Sequence, residues 1–364
     1  MNRNKTTDVN IIAYQYSDCF CARSVRLNNH RLYISAEGDI KQMKYIFSTI
    51  LACSISAMPL AGHAAESYPS KPIKLVVPFL PGGIGDVLGR IVGAELSERL
   101  GQTVIIENRA GAGGMIGTEY AAKTAPDGYT ILQVSSPQII NQVLREKPGY
   151  ELLRDFVPVS SGVTAPLVLV VPASSKTQSV KDLISVANSR SGGVNFGSGG
   201  VGSVGHLAGE MLKRSADIAA THVAYKGNAG VVTDLVGGRL DFFFSSQPEA
   251  VHGDAAGTMR AIAVTAPERV KTFPDVPTMI ESGYKDFTPT SVYGYMVPKN
   301  TPAAIVNRLH DAINSIVTSS AVQNRFETLG LNADPGNIEH WKDTLESETA
   351  RWRELVKTAG VHVE

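Results

Sequence analysis

From Ile73 onward, short apolar runs of β type alternate with amphipathic helical runs, the pattern of parallel strands joined by crossover helices. IKLVVPF reads as a strand closed by Pro78 and Pro81. In DVLGRIVGAELSERL, Val87, Leu88, Ile91, Val92, Leu96 and Leu100 fall on one helical face, and Gly101 ends the helix. TVIIEN, GYTILQVSS, APLVLVVP, GVNFGS, THVAYKG, RLDFFFSS, MRAIAVTA and SVYGYMVP read as further strands. SVKDLISVANSR, the segment after Gly205 and AGVVTDLVGG read as helices between them. Thr301 and Pro302 take the N-cap and first positions of a long helix. The C-terminal third is mostly helical, through TLESETARWRELVKTAG.

No internal repeat or low-complexity linker marks a domain boundary. The apolar strands at 167–171 and 293–297 are the expected crossings between two α/β lobes, with the chain returning to its first lobe. The expected division is 66–166 with 291–364 as one lobe and 167–290 as the other. Clefts between such lobes are common ligand sites.

The segment MKYIFSTILACSISAMPLAGHAAESYP reads as a secretory signal over residues 43–65. Lys41 and Lys44 form its positive region, and the expected cleavage follows Ala64 or Ala65. Its apolar part is shorter than the roughly 20 residues of a membrane span, so the mature protein is expected to be soluble and exported to the periplasm. Residues 1–42 are polar and patternless, and Met43 followed by Lys44 makes a conventional start. These residues are therefore expected to be a non-native upstream extension. ILAC, ending at Cys53, imitates a lipid-attachment site, but Leu51 fits that pattern poorly.

Composition narrows the function. Of 364 residues, 43% are apolar and 19% charged, a globular balance with length for two domains. The formal net charge is zero and no basic run occurs, which argues against nucleic-acid binding. All three cysteines, Cys19, Cys21 and Cys53, precede residue 60, so the body of the chain has no disulfide, thiol nucleophile or cysteine metal ligand.

The candidate chemistry lies in loops after strands. NFGSGGVGSVGHLAGE, residues 195–210, holds six glycines and two serines and contains the GxGxxG pattern twice, at Gly197, Gly199, Gly202 and at Gly200, Gly202, Gly205. A lone match of this kind is weak evidence for a dinucleotide. The firmer reading is a tight turn whose following helix aims N–H groups at an anion, phosphate or carboxylate. PFLPGGIGDVLGR repeats that logic at Pro81, Gly82 and Gly83. Two such termini suit the two ends of a dicarboxylate, and a pair of plain strand-to-helix turns is the bland alternative. Asp86 reads as an N-cap at the same place. Ser135 and Ser136, Ser198 and Ser203, and Ser245 and Ser246 stand just past strand ends, the edge where open α/β sheets bind ligands. Their hydroxyls can orient a carboxylate, or can serve only as caps.

Several residues read both ways. His206 faces a ligand or packs against backbone. Tyr225 and Lys226 edge a cleft or staple the turn at Gly227, and Arg109 attracts an anion or stays a surface arginine. Asp234 and Asp241 fall on a helix and before a strand, which a solvated surface explains as well as a paired acid and base. No G-x-S-x-G, H-E-x-x-H, Walker A or Cys/His metal spacing occurs. The dinucleotide reading lacks the acid expected about 20 residues beyond the glycines.

From about Tyr68 to the C-terminus the chain resembles the Bug, or TctC-like, extracytoplasmic solute-binding receptors of tripartite tricarboxylate transporters. The resemblance rests on YPSKPIKLVVPFLPGGIGDVLGR, VIIENRAGAGGMIGTEYAAKTAPDGYTIL, GSGGVGSVGHLAGE, VAYKGNAGVVTDLVGGRLD, MRAIAVTAPERVKTFPDVPTMIESG and ARWRELVKTAG. It implies a type II periplasmic-binding fold: two α/β lobes, joined by two crossover strands, closing on a small carboxylate. It also implies a monomer that delivers the ligand to a membrane permease, with no cofactor, metal or catalysis. The ligand loops it implies are Phe79 with Gly82, Gly83 and Asp86; Ser135 with Ser136; Ser198, Gly200, Gly202, Ser203 and His206; and the turn at Ser245. Ser245 stands where many members have Asp, Val292 where many have Trp and Gly199 where many have Ser. The lost acid at Ser245 points to a ligand without an α-amine. Two rival readings are an exported serine hydrolase using Ser198 or Ser203 with His206, and a ligand-sensing subunit of a signalling system.

Overall fold

The computed structural model describes residues 68–359 and the backbone of two short strands nearer the N-terminus. Those strands, β1 (Ser24–Leu27) and β2 (His30–Tyr33), pair antiparallel with Ser24 opposite Tyr33. They belong to a unit, Met1–Ala65, separate from the compact unit Glu66–Glu364. A hairpin thus occupies part of the stretch read as patternless. The signal segment 43–65, its cleavage at Ala64 or Ala65, and Cys53 lie outside the described residues. No described helix is long and apolar enough to cross a membrane.

In the larger unit a path of strands runs β4-β3-β5-β11-β6-β9-β7-β8, with β10 (Met259–Val264) and β12 (Asn332–Ala333) pairing onto β6. β3 (Ile73–Val77), β4 (Val104–Asn108) and β5 (Thr130–Ser135) are mutually parallel. So are β7 (Val194–Ser198), β8 (Ala220–Ala224) and β9 (Phe242–Ser246). β6 (Phe156–Pro172) joins the two sets: Phe156 to Pro166 pair with β11 (Thr290–Pro298), and Leu167 to Val170 pair with β9.

The sequence pattern places a strand only at APLVLVVP, whereas β6 begins nine residues earlier. Pro158, Ser160, Ser161 and Gly162 interrupt the apolar run, and the pairing with β11 shifts register at Tyr293/Gly294 and Tyr295/Met296. Bulges of this kind let a strand carry residues that break its alternation. β11 pairs with β5 and with the first half of β6, so the return crossing is made by the residues just before Thr290. There Thr265 Oγ1 donates to Pro289 O at 2.7 Å.

Helices cover both sets, the first six along the larger unit being α1 (Ile84–Leu100), α2 (Met115–Ala122), α3 (Ser136–Leu144), α4 (Leu152–Asp155), α5 (Val180–Ser189) and α6 (Val204–Ser215). α1 (Ile84–Leu100) buries Leu88, Ile91, Val92, Leu96 and Leu100, and αL Gly101 ends it, as its periodicity predicts. The C-terminal helix, Ile338–Ala359, buries Trp341, Leu345, Trp352 and Val356, a spacing that puts all four on one face. Trp341 lies over Gly294 of β11. A Cβ added at Gly294 would stand 2.5 Å from the Trp341 ring and 2.8 Å from Ser160 O, so β11 and this helix meet through the missing side chain. Gly294→Ala is expected to destabilise the protein by about 1–3 kcal/mol through overpacking, read as a lowered urea midpoint with unchanged slope.

Candidate functional site

Strand direction creates the site. β5 and β6 are each antiparallel to β11, hence parallel to one another, while β9 is antiparallel to β6. The carboxyl ends of β3, β4 and β5 therefore point towards those of β7, β8 and β9. Ser135 is level with Tyr293 and, through it, Val163, whereas Ser246 is level with Leu167. Four residues of β6 separate the two edges, about 13 Å at the usual strand rise. Across this gap the loop after β7 reaches the helix Ser136–Leu144, here α3. Gly202 is buried at φ +79°, and a Cβ there would lie 2.9 Å from Leu144 Cδ2 and 3.7 Å from Ile140 Cγ2. The close approach and the backbone conformation both require glycine.

On one edge Phe79, Gly82 and Gly83 form the turn before α1. Gly83 is the N-cap and brings no side chain to it, so the first-turn N–H groups meet no side-chain cap and present the positive end of a 17-residue helix. Asp86, 3% exposed, faces inward. Its carboxylate accepts from Gly82 N at 3.0 Å, Arg90 Nε at 2.9 Å and Asn108 Nδ2 at 2.9 Å. Arg90, with help from these hydrogen bonds, lowers its pKa to about 2 against the cost of burial. Asp86 thus pins the turn from behind. Asn108, which sequence reasoning missed, adds a bond from Nδ2 to Phe79 O at 3.1 Å.

The serines on this edge serve the same end. Ser135 Oγ donates to Gln138 Oε1 at 2.8 Å, and Ser135 N donates to the same oxygen. Ser136 Oγ accepts from Val292 N at 2.9 Å, joining the start of α3 to β11. Both residues are buried.

On the opposite edge Ser198, fully buried, bonds its own loop: Oγ donates to Gly200 O at 3.0 Å and accepts from Gly200 N at 3.2 Å. Its third partner is His222 Nε2 at 2.7 Å, which must donate, because the single hydroxyl proton is already committed. His222 stacks on His206 with ring centroids 3.9 Å apart. His206 Nδ1 accepts from Gly202 N at 3.3 Å, so that nitrogen carries no proton. Ser203 caps α6 (Val204–Ser215), its Oγ accepting from His206 N at 3.2 Å. Burial lowers the pKa of His206 to about 3, with His222 and Lys213 contributing, and burial alone lowers that of His222 to about 4. Both rings are neutral around pH 7. His206 is a packed histidine bonded to backbone, and His222 is a partner that no motif in THVAYKG announced.

Ser245 is also fully buried and donates to Glu249 Oε2 at 3.1 Å. The same oxygen accepts from Asn228 Nδ2 at 2.8 Å and Ser246 N at 3.3 Å. The Glu249 carboxylate thus gathers the turn at Ser245 from one helical turn further along the chain. Arg109 stacks on the Tyr120 ring at 3.4 Å and pairs with Glu107. Tyr225 Oη donates to Asp234 Oδ2 at 2.6 Å, and Asp241 pairs with Arg190 at 2.8 Å. The two aspartates are separately engaged and form no acid–base pair. Lys226 is exposed just past the end of β8. No group of three or more His, Cys, Asp or Glu that could hold a metal occurs among the described residues.

Two α/β lobes, joined by crossover strands and presenting strand-end loops to one another, define the type II periplasmic-binding class of solute-binding proteins. Residues 88–361 match the tripartite tricarboxylate transporter family receptor, TctC. The chain belongs to that family. It is 36% identical over 324 residues to protein BugT of Bordetella pertussis, covering 88% of this chain and 98% of the relative. Periplasmic binding protein BugD is similar at TM-score 0.72 and 32% identity, over 82% of this chain and all of that one. A solved structure from R. palustris with adipate is similar at TM-score 0.75 and 33% identity, over 81% and 99%.

The two imidazoles make stability pH-dependent. Their folded pKa values lie below the ordinary 6.5, so on acidification the unfolded chain takes up protons that the folded one refuses. Stability is full above about pH 6.5 and falls towards pH 4. Urea midpoints at pH 7.5 and pH 4.5 are expected to differ less in His222→Gln than in the parent, by roughly 1–2 kcal/mol after allowing for the partial exposure of His222.

Proposed function

We propose that this protein is an exported, non-catalytic receptor that captures a small mono- or dicarboxylate between its lobes and delivers it to the membrane permease of a tripartite tricarboxylate transporter. The observation that carries the reading is that strand-end loops face one another across β6, one of them opening a helix whose N-cap, Gly83, supplies no capping side chain. N–H groups there receive a carboxylate without a lysine or arginine. Family membership and the adipate found in a similar structure support the ligand class. Residues 66–166 with 291–364 form one lobe and 167–290 the other. The change of partner along β6 between Pro166 and Leu167 supports that division, with one hinge in this reading there and the second just before Thr290. Residues 43–65 direct export and are removed.

The ligand loops are those at Phe79, Gly82 and Gly83, at Ser135 and Ser136, from Ser198 through Gly200 and Gly202 to Ser203, and at Ser245. Asp86, Ser198 and His206 act by holding their loops in shape. The 2.7 Å contact of Ser198 with His222 is the one feature a serine hydrolase would share. It speaks for scaffolding instead, because Ser198 is fully buried and a base with a pKa of about 4 is a poor proton acceptor at neutral pH.

A thermal-shift panel of small carboxylates, with NAD, NADP and ATP as controls, tests the reading. A ligand at 100 times its dissociation constant is expected to add about 2.7 kcal/mol of stability. Stabilisation by nucleotides alone, or ester turnover abolished in Ser198→Ala, would overturn it.

A further inference from the structure

Resting on the two-lobe division above, we propose that Gln247 and Gly330 form a third, non-covalent pivot of the hinge, in line with the two chain crossings. Thr290 pairs with Pro166 on one edge of β6, and Ser246 pairs with Leu167 on the other. The crossings and the end of β9 therefore stand in one row across neighbouring strands. Gln247 follows Ser246 and opens the helix Gln247–Ala255. Its Nε2 donates to Gly330 O at 2.9 Å, a bond between the two lobes. Gly330 lies two residues before β12, whose Asn332 pairs with Thr164, so the bond spans the level at which β6 changes partners. Two pivots one strand spacing apart, about 4.8 Å, leave the lobes free to twist, and a third on the far edge roughly doubles the length of the axis.

The contact is built as a joint. Gln247 is buried, and both ends of its amide are used, since Oε1 accepts from Thr272 Oγ1 at 2.7 Å. Gly330 stands at φ +65°, and a Cβ there would collide with the Gln247 Cβ, so the turn and the close approach both require glycine. Around this joint the packing is open. A cavity of about 490 Å³ lies between the loop 266–272 and the turn 330–332, which leaves the two segments room to rotate about the bond. Apolar packing divides at the same place. Val322, Phe326 and Leu331 belong to a core with the buried face of α1, whereas Ala250, Val264 and Phe273 belong to a separate core with Val168. The lobes meet here through an amide, which trades its partners for water at small net cost, and not through close-packed apolar surface that resists relative movement. A longer axis confines the motion to opening and closing, so the strand-end loops meet in the same register each time.

The test reads inter-lobe distances by spin-label spectroscopy on the full-length protein without ligand. Labels go on cysteines placed at the exposed helix positions Glu98 and Arg214, one in each lobe, with Cys19, Cys21 and Cys53 changed to serine. Gln247→Ala removes the pivot, and Gln247→Glu keeps its size and the acceptor for Thr272 while removing the donor. In both, the population outside the parent's distance range is expected to rise about three- to tenfold, the weight of one hydrogen bond, with folding checked by the urea midpoint. Lys271→Ala is expected to leave the distances unchanged, because its ion pair with Glu327, 2.8 Å long, is exposed. Distributions as narrow as the parent's in the Gln247 variants overturn the proposal, as does equal broadening by Lys271→Ala. Adipate and succinate are then added to the parent. Their failure to narrow its distances counts against the carboxylate reading and leaves the comparison of ligand-free proteins standing.

Discussion

Everything at the site depends on the polarity of one strand. β6 runs parallel to β5 and antiparallel to β9, and that relation turns the carboxyl edges of two separate parallel sets towards each other. Were β9 to run with β6, its loop would open on the far face and the two loop groups would never meet. Because β6 is a single 17-residue strand, buried along nearly its whole length, the offset between the edges is set by covalent geometry and by register. A one-residue slip would turn every inward side chain outward. The pairing with β11 carries bulges at Gly294 and Met296 and that with β10 one between Ala261 and Ala263, whereas the pairing with β9 is regular.

The second theme is the use of polar side chains to shape backbone. Asp86 and Asn108 hold the turn at Phe79 and Gly82; Ser198, His222 and His206 hold the glycine loop; Glu249 gathers Asn228, Ser245 and Ser246. Each group is nearly saturated by its own neighbours, so it lends rigidity more than it lends a contact. Preorganised N–H groups need not be reorganised when an anion arrives, which lowers the ordering cost of binding. The stacked imidazoles belong to this scaffold as neutral rings, since one nitrogen of each is engaged in a neutral hydrogen bond.

Much of this was legible from residues. Strand and helix alternation followed from period-2 and period-3.6 patterns, the α1 face from Val87 through Leu100, and the candidate loops from glycines and serines just past strand ends. The front half of β6 was not legible, because Pro158 and the Ser-Ser-Gly run imitate a turn and only pairing with β11 makes them a strand. The loop anchors were hidden for another reason. Asn108, His222 and Glu249 lie on other elements or another turn, at 22, 24 and 4 residues from the groups they bind, and no local spacing announces such partners. These partners tie the Ser198 and Ser245 hydroxyls into the framework of their own loops.

The position of β11 between β5 and β6 has a consequence for how the chain assembles. A chain emerging N-terminus first completes β7, β8, β9 and β10 against the second half of β6 while the strand that must fill the first lobe is still missing. Until residue 298 is available, β5 and the front of β6 have no partner between them, and their edges are open to other chains. The helix whose Trp341 covers Gly294 comes later still. One lobe can therefore close as a nearly contiguous stretch of sequence, whereas the other needs strands far apart in the chain, long-range pairings that form more slowly than local ones.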